Sequence, residues 1–309
     1  MKNYIFDVVG LGLNSVDLLC ELGTFPVFNS KSEARNITYQ GGGQVATAMV
    51  ALSRLGQNVS YIGSIGDDEL GKFSIESLRN EGVNVENVTT QIGLSSQFAI
   101  VLVQREGKEE LRGGRTIIWK RDTFIAPENI DPKLIGSSKF LHIDGHNLDA
   151  EILACEIAKS EGTLISFDAE RVFPGVEKLI EKTDFFISSE HFPEQFTGKK
   201  NPLESLKRIF SFGPKLVGMT LGYRGVLAYD GSTFYEVESF PVDVVDTTGA
   251  GDAFHAGFLY GQLKNFSIEE SLRYGNAVAA INCTKLGGRS ALPSSEEVSD
   301  FLRINKKGK

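Results

Sequence analysis

Apolar positions along this chain group into short runs typical of strands and longer stretches with the spacing of a helix. Residues 5–12 form a β-prone run that ends in glycines, and residues 44–55 place Ala, Val, Leu and Met at helical spacing before Gly56. Residues 58–63 predict a short buried strand, and residues 67–80 predict a helix. Because strands and helices alternate here, the pattern predicts a parallel sheet covered by helices.

Two inserts interrupt this alternation. The β-prone runs 96–104 and 111–119 flank a polar turn, which predicts an antiparallel hairpin rather than another strand–helix unit. A further β-like stretch, 33–38, lies between the first strand and the first helix. The inserts, at about 15–40 and 95–120, together predict a small sheet that stands off the main sheet as a lid.

The alternation then resumes and the last third of the chain becomes helical. Two capping-box pairs, Ser267 with Glu270 and Ser294 with Glu297, predict helices that begin near residues 268 and 295. No linker or repeat divides the chain, so residues 1–309 are predicted to form one α/β domain. The other elements predicted in this region are a helix at 150–159 and strands at 140–143, 164–167, 185–188, 215–220, 226–229 and 233–237.

Charge and cysteine usage limit the class of protein. A formal charge of −8, from 32 basic and 40 acidic residues, argues against a general affinity for nucleic acid. The sequence has neither a run of about 18 apolar residues nor a signal-peptide pattern, which predicts a cytoplasmic protein without a membrane partner. Cys20, Cys155 and Cys283 are odd in number and far apart, and we expect all three to be buried thiols.

The segment 242–254, VDVVDTTGAGDAF, carries the clearest chemical signal. A β-run enters a loop of small residues and a helix leaves it, so successive backbone amides and the helix dipole can converge on one anion. Phosphoryl transfer needs such a cradle and one carboxylate that takes the hydroxyl proton, and Asp252 is placed for that role. The alternative is that Asp252 is an N-cap and that the glycines only permit a tight turn.

Two motifs resemble the signatures of a known family. Residues 246–254 match Asp-Thr-Thr-Gly-Ala-Gly-Asp-x-Phe without a gap, and 41–43 through 55–56 match a double glycine that opens an Ala-rich helix ending in Leu-Gly. The chain thereby resembles the PfkB, or ribokinase-like, carbohydrate kinases over nearly its whole length. The resemblance implies a ribokinase-like α/β fold, with a central mostly parallel sheet flanked by helices and a small β-sheet lid. It also implies ATP as the phosphoryl donor.

The resemblance implies a role for each matched position. Asp252 would be the general base, and the amides of Gly249, Ala250 and Gly251 would form the anion hole. The acceptor sugar would meet Asp17, Gly42, Gly43 and Thr47, although Thr47 stands where most members carry asparagine. The nucleotide would meet Thr220, Gly222, Gly225, Ser189, Asn276 and Gly288, the last in a loop that resembles the one closing over adenine.

Metal ions are expected from the same resemblance. Magnesium is usually held near Asn-x-x-Glu, but the aligned residues 189–192 are Ser-Glu-His-Phe, which leaves Glu190 as the candidate ligand. The alternative for Glu190 is a solvated glutamate at a helix start. A monovalent cation such as K⁺ is a further expectation, near Asp246 and Thr248.

The acceptor itself is the least determined part. Basic residues around the lid suit an acceptor that carries phosphate or sulfonate, unless they form a solvated lid surface: Lys31, Arg35, Arg112, Arg115, Lys120 and Arg121. Lys31 sits where bacterial sulfofructose kinases, which several stretches resemble, have a lysine near their anion. Residues 141–147 instead resemble ketohexokinase.

The expected function is phosphorylation of a primary hydroxyl of a ketose-like sugar. A nucleoside kinase and a non-catalytic sugar-binding regulator are the alternatives. Because exposed strand edges seek partners and two lids pair in several relatives, we also expect a homodimer through the lid. His255 follows Phe254 on a buried-looking helix, and we expect it to pack in the core.

Overall fold

A computed structural model describes residues 4–105 and 114–305 of the chain. The strands are β1 (Phe6–Leu11), β2 (Ser15–Leu22), β3 (Asn36–Gly42), β4 (Val59–Gly66), β5 (Asn84–Gln91), β6 (Phe98–Gln104), β7 (Arg115–Lys120), β8 (Ser138–Ile143), β9 (Leu164–Ala169), β10 (Phe185–Ser188), β11 (Leu216–Thr220), β12 (Val226–Tyr229) and β13 (Phe234–Val237). The helices are α1 (Gln44–Arg54), α2 (Glu69–Asn80), α3 (Pro132–Gly136), α4 (Leu148–Glu161), α5 (Val176–Ile180), α6 (Phe192–Thr197), α7 (Pro202–Phe210), α8 (Ala250–Leu263), α9 (Ile268–Asn282) and α10 (Ser295–Ile304).

The main sheet has nine strands in the order β13-β12-β11-β10-β9-β8-β1-β4-β5. In this spatial order, the seven strands from β11 to β5 run parallel to one another, and β12 and β13 form an antiparallel edge. Val8 and Val9 of the inner strand β1 are both fully buried and belong to separate apolar clusters on the two faces of the sheet. Both faces are therefore covered, which explains why the inner strands read as continuous apolar runs.

The predicted lid is a second sheet of four strands in the order β3-β2-β6-β7. The hairpin prediction is confirmed, because β6 and β7 pair antiparallel from Phe98↔Lys120 to Val103↔Arg115. The turn between them and Arg112 lie outside the described residues. The ribokinase-like fold class is thus confirmed in both of its parts, the mostly parallel main sheet and the lid.

Two strands were not predicted from the sequence. β2 lies at the centre of the lid, and β5 forms one edge of the main sheet. β5 reads NVENVTTQ and none of its residues is fully buried, so it lacks the apolar run of an inner strand. β2 is more buried than β5, but a cysteine and two acidic residues interrupt the apolar pattern of β2.

Close helix packing fixes the start of α8. The two capping boxes are confirmed, so α9 and α10 begin where the sequence predicts. A Cβ atom at Gly257 of α8 would lie 2.8 Å from the Cα of Gly275 in α9, so these helices touch backbone to backbone. The N-terminus of α8 is thereby held at the carboxyl edge of the sheet.

The cysteines follow the prediction only in part. Cys155 and Cys283 are buried, whereas Cys20 on β2 is partly exposed, so the prediction of three buried thiols is wrong for Cys20. It lies on the lid, which is too thin to cover both of its faces. Among the helices of the described ranges, none combines the length and the apolar character needed to span a membrane.

Candidate active site

A cavity of about 1920 Å³ lies between the lid and the carboxyl ends of the main-sheet strands. Ligands of open α/β sheets bind at this edge, because the loops that follow parallel strands meet there. The structure brings most of the predicted site residues to this one cavity: Asp17, Gly42, Gly43, Thr47, Ser189, Thr220, Gly222, Thr248, Gly249, Ala250, Gly251, Asp252 and Gly288. The predicted residues that do not line it are Lys31, Glu190, Gly225, Asp246 and Asn276.

The glycine loop forms the N-terminus of α8. Gly249 is the N-cap residue with a φ of 73°, a conformation that favours glycine. A Cβ atom there would lie 2.7 Å from the Cα of Gly288, so the loop and the segment around Gly288 pack against each other through their backbones. The first amides of a helix have no partner within the helix, and a Cβ atom added at Gly251 would meet no neighbouring segment within 4 Å. The loop therefore presents backbone to the cavity.

Asp252 lies in the first turn of α8 and faces the cavity. The N-cap is Gly249 and no side chain caps the helix, so the alternative interpretation of Asp252 as an N-cap is wrong. Burial raises the pKa of Asp252 well above its usual range, and the negative charge of Asp168 adds to the rise, while Arg115 opposes it. A carboxylate with a raised pKa is a stronger proton acceptor.

A buried acid–imidazole pair lies one helical turn beyond Asp252. His255 Nε2 is 3.2 Å from Asp168 Oδ1, and the His142 ring lies 5.5 Å from the His255 ring. Burial raises the pKa of Asp168, but the contact with His255 and a hydrogen bond from Gln44 outweigh it and keep that pKa below its usual value. His255 is buried as predicted, yet it also lines the cavity.

Asp168 was not predicted as a site residue from the sequence, although one signal pointed to it. Asp168 follows the apolar run 164–167 that predicts a buried strand, and it lies near the carboxyl end of β9. A polar residue at that end of a parallel strand faces the edge where ligands bind. Gln44 was also missed, and its Oε1 lies 2.9 Å from His146 Nε2.

The part of the cavity predicted to meet the acceptor, here called the acceptor side, is built around Asp17 and Arg289. Asp17 is buried and accepts a 2.7 Å hydrogen bond from the Ser15 hydroxyl. A Cβ atom at Gly42 would lie 2.1 Å from Asp17 Oδ2, which explains the glycine there. Arg289 donates to Thr47 Oγ1 at 3.1 Å and to the Gly42 carbonyl at 2.6 Å. Thr47 thus accepts from a buried arginine, and the side chain of Arg289 points to the acceptor side rather than across the nucleotide side.

The part of the cavity predicted to meet the nucleotide, here called the nucleotide side, is formed by the ends of β10 and β11. Ser189, Thr220 and Gly222 line the cavity there. Gly225 has a φ of 97°, and a Cβ atom on it would lie 2.1 Å from the Val237 carbonyl oxygen. It therefore permits the turn between β11 and β12 without lining the cavity itself. Asn276 lies outside the cavity lining, because its side-chain amide donates to the carbonyls of Val237 and Glu238.

The predicted metal ligands are engaged by other residues. Glu190 forms an ion pair with Arg224. Asp246 accepts hydrogen bonds from the Thr248 amide and hydroxyl and from the Gly287 amide, at 2.7 to 2.9 Å, so it ties the glycine loop to residue 287. Within residues 4–105 and 114–305, no group of three or more His, Cys, Asp or Glu side chains is arranged to hold a metal ion.

Comparisons with known proteins agree with this architecture. The family model described as pfkB family carbohydrate kinase matches residues 7–295. The chain is 31% identical over 299 residues to probable fructokinase-2 of Arabidopsis thaliana, covering 89% of this chain and 90% of that protein. It is 28% identical to 5-dehydro-2-deoxygluconokinase of Geobacillus kaustophilus, covering 95% and 94%.

Solved structures share the same fold. A putative ribokinase from Agrobacterium tumefaciens superposes with a TM-score of 0.89 at 23% identity, covering 98% of this chain and 99% of that one. A putative ribokinase II from E. coli in complex with ATP and Mg²⁺ superposes with a TM-score of 0.82 at 22% identity, covering 97% and 100%. The chain belongs to the pfkB family of carbohydrate kinases. Its activity is that of an ATP-dependent carbohydrate kinase.

Proposed function

We propose that the protein transfers the γ-phosphoryl group of ATP to a primary hydroxyl of a ketose-like sugar or sugar derivative, with Asp252 as the general base. The observation that carries the proposal is the position of Asp252. It faces the cavity from the first turn of α8, beside the glycine loop, and burial and the charge of Asp168 raise its pKa. A carboxylate and an amide cradle in one place suit proton removal and charge stabilisation in the same step.

Each wall of the cavity has a part in this mechanism. Asp17 accepts hydrogen bonds from sugar hydroxyls and orients the acceptor, since its carboxylate borders Gly42 in the cavity. Asp252 takes the proton of the attacking hydroxyl. The amides of residues 249–251 and the positive end of α8 hold the charge on the transferring group. Arg115 donates to Thr247 Oγ1 at 2.8 Å and brings a positive charge to the same place.

Glu170, which the sequence did not indicate, is our candidate to hold Mg²⁺ in the cavity. Mg²⁺ would neutralise phosphate charge, and it relies on one or two carboxylates together with the phosphates themselves. Glu170 lines the cavity with an exposed carboxylate, and its backbone carbonyl accepts a 2.7 Å hydrogen bond from Ser189 Oγ on the nucleotide side. Glu170 is therefore a better candidate than Glu190, which is engaged by Arg224.

We also propose a K⁺ site near Asp246 and Thr248. Asn282 Oδ1 is a buried oxygen without a hydrogen-bond partner among the described residues, and Asn282 Nδ2 donates to the Thr248 carbonyl. An orphaned buried oxygen is suited to a cation ligand.

The names of relatives bear on the acceptor. Fructokinases, 5-dehydro-2-deoxygluconokinases and an ATP-dependent 6-phosphofructokinase are among them, so ketose-like and acid-bearing acceptors both suit the proposal. These names do not include a sulfofructose kinase or a ketohexokinase, and that finer resemblance stays a prediction. A nucleoside acceptor is less suited, since Trp119 is the aromatic ring that the described lid strands bring to the cavity, and stacking a base favours a pair of rings.

The lid also supports a homodimer. Its two edge strands, β3 and β7, carry exposed apolar side chains, namely Ile37, Tyr39, Ile117, Ile118 and Trp119. Unpaired strand edges with apolar side chains favour association with a second copy. Light scattering at micromolar concentration should give twice the mass of one chain, and a monomer would contradict this part of the proposal.

Asp252→Asn separates a kinase from a sugar-binding regulator. With a panel of ketoses, furanoses, sugar acids and nucleosides, the wild type should release ADP with at least one acceptor. The variant should lose on the order of 10²- to 10⁴-fold in kcat, the usual contribution of a general base. Asp300→Asn, an exposed acid on α10, is the matched control. Unchanged ADP release by Asp252→Asn would exclude Asp252 as the base.

A further inference from the structure

Three arginines line the cavity, and they differ from most basic residues of the protein. Arg115, Arg121 and Arg171 form no salt bridge with any acidic side chain in the part of the chain that the structure describes. Elsewhere such pairs are common, for example between Arg54 and Glu81 and between Lys120 and Asp122. Cations in a cavity without a counter-ion suit an anionic ligand.

The three arginines divide into two places. Arg115 donates to Thr247 Oγ1, and its charge acts on Asp252, so it lies at the site of phosphoryl transfer. Arg121 and Arg171 act on each other and on His146, so they lie together at the loop that follows β8. We call Arg121, His146 and Arg171 the acceptor wall.

Two contacts hold the guanidinium of Arg121 in place within this wall. Arg121 is half-buried, its Nη2 donates a 3.0 Å hydrogen bond to the His146 carbonyl, and its guanidinium lies 4.2 Å above the Phe124 ring. These two contacts fix the plane of the guanidinium, whose five N–H groups exceed the single carbonyl it serves. Burial lowers the pKa of Arg121, which is the cost of removing a cation from water without a paired anion.

The charges of Asp144 and Glu151 partly oppose the effect of burial on the pKa of Arg121, but among the described residues neither carboxyl forms a salt bridge with the wall. Asp144 accepts hydrogen bonds from the Leu13 amide at 2.6 Å and the His146 amide at 3.2 Å. Glu151 accepts from two further amides of the same loop, at 2.8 and 3.0 Å. Both carboxyls are buried beneath the loop, and burial raises the pKa of each. Their oxygens are thus engaged by backbone donors and do not pair with the guanidinium groups.

Among the acidic side chains that line the cavity, Glu170 is the neighbour of the acceptor wall in sequence. Glu170 precedes Arg171, and its charge acts on both Asp252 and His146. It therefore lies near both the transfer site and the wall, and the Mg²⁺ that it would hold would offset its charge. Lys31 is exposed and does not line the cavity, so it does not belong to the acceptor wall.

We infer that the acceptor carries an acid group, a carboxylate, phosphate or sulfonate, and that Arg121 and Arg171 bind this group at the acceptor wall. The inference rests on the proposed kinase activity and adds the class of substrate. A fixed guanidinium plane binds two oxygens of such a group at once, and Arg171 supplies a second charge at the cavity mouth. His146, held by Gln44 at 2.9 Å, shapes the wall between the two arginines.

Matched acceptors with and without an acid group test this inference. Fructose is compared with fructose 6-phosphate, and a 2-keto-3-deoxyhexonate with the corresponding neutral alcohol. Wild type should prefer at least one acid-bearing member by kcat/KM. Arg121→Gln should reduce kcat/KM for that acceptor about 10- to 100-fold, mainly through KM, because a charge-assisted hydrogen bond is lost. Arg121→Lys should fall between the two, and Arg303→Gln on α10 is the matched control.

Two outcomes would overturn the inference while the kinase activity stands. One is a wild type that prefers the neutral member of every pair, and the other is an equal loss on neutral and acid acceptors in Arg121→Gln. Calorimetric binding of the same sugars without ATP separates this from failure of the proposed function. An acid sugar that binds wild type at least tenfold more tightly than Arg121→Gln supports the inference even if no phosphoryl transfer occurs, and equal binding contradicts it. Circular dichroism melting checks that the variant folds.

Discussion

Two sides of the cavity differ in how the chain supplies their residues. The transfer side comes from the contiguous segment 246–252, braced by Gly288, and its geometry is set by backbone contacts. The acceptor side comes from the lid, from α1 and from the loops after β7, β8 and β9, and its geometry is set by side chains such as Arg121 and Arg289. The reaction is therefore encoded locally, whereas the choice of acceptor depends on residues far apart in the sequence.

Among changes that leave Asp252 in place, the largest effect should come from disturbing the backbone contact of the transfer side. In Gly249→Ala the new Cβ meets the Cα of Gly288 at a φ of 73°, so the loop must shift. We expect kcat to fall on the order of 100-fold, as for loss of an anion-hole donor. The melting temperature should fall as well, because such strain costs about 1–3 kcal/mol.

Gly251→Ala is the matched stability control for this substitution. Its Cβ meets nothing within 4 Å and it lies within α8, where alanine is favoured over glycine. Its melting temperature should equal or exceed that of the wild type. Equal melting temperatures and equal kcat for Gly249→Ala and wild type would show that the contact with Gly288 does not set the loop.

The negative charge of Asp168 should affect the dependence of kcat/KM on pH. Asp168→Asn removes a negative charge that, after burial, contributes most to the raised pKa of Asp252. The pKa of Asp252 should fall, so the acidic limb of kcat/KM against pH should move to lower pH. Arg115, Glu170 and Arg289 also act on Asp252 and are unchanged in the variant. An acidic limb that stays in place, as expected for Asp300→Asn, would mean that another group limits the rate at low pH.

The sequence predicted the transfer side better than the acceptor side for a physical reason. A strand, a glycine loop and a helix start are local features, and Gly249 and Asp252 lie where the sequence placed them. The pairing of Asp168 with His255, by contrast, joins strand β9 to helix α8, two elements that are distant in sequence. In the same way, the hydrogen bond from Arg289 to Thr47 joins residues 242 positions apart, and the sequence around Thr47 does not predict this contact.

The fold shows the same limit at its edges. The inner strands of the main sheet were predicted because burial on both faces demands apolar residues, while its edge strand β5 has no such demand and was not predicted. Glu190 was a candidate magnesium ligand because of its position in an aligned motif. Its ion pair with Arg224, another contact between distant segments, assigns it a different partner.

A smaller effect is expected at the hydrogen bond that anchors the acceptor side. Thr47→Val keeps the shape of the side chain but removes the acceptor for Arg289 Nε, a buried charged donor. The free energy of unfolding should fall by about 1–3 kcal/mol, measured by urea denaturation. The acceptor KM should rise while the KM for ATP stays constant, because Arg289 also holds the Gly42 carbonyl. Thr38→Val, exposed on the lid, is the control, and equal losses in both variants would argue against a role for Arg289.

The smallest effect is expected at the drifted metal motif on the nucleotide side. Glu190→Gln breaks a half-exposed ion pair, which costs about 1 kcal/mol or less. The magnesium concentration for half-maximal activity should stay constant, because Arg224 already engages this carboxylate. Glu170→Gln should raise that concentration instead, since Glu170 presents an exposed carboxylate to the cavity. If this magnesium concentration rises in Glu190→Gln and not in Glu170→Gln, the metal ligand is Glu190, as the sequence indicated. The metal site, like the glycine loop, would then be predictable from a single short segment of the sequence.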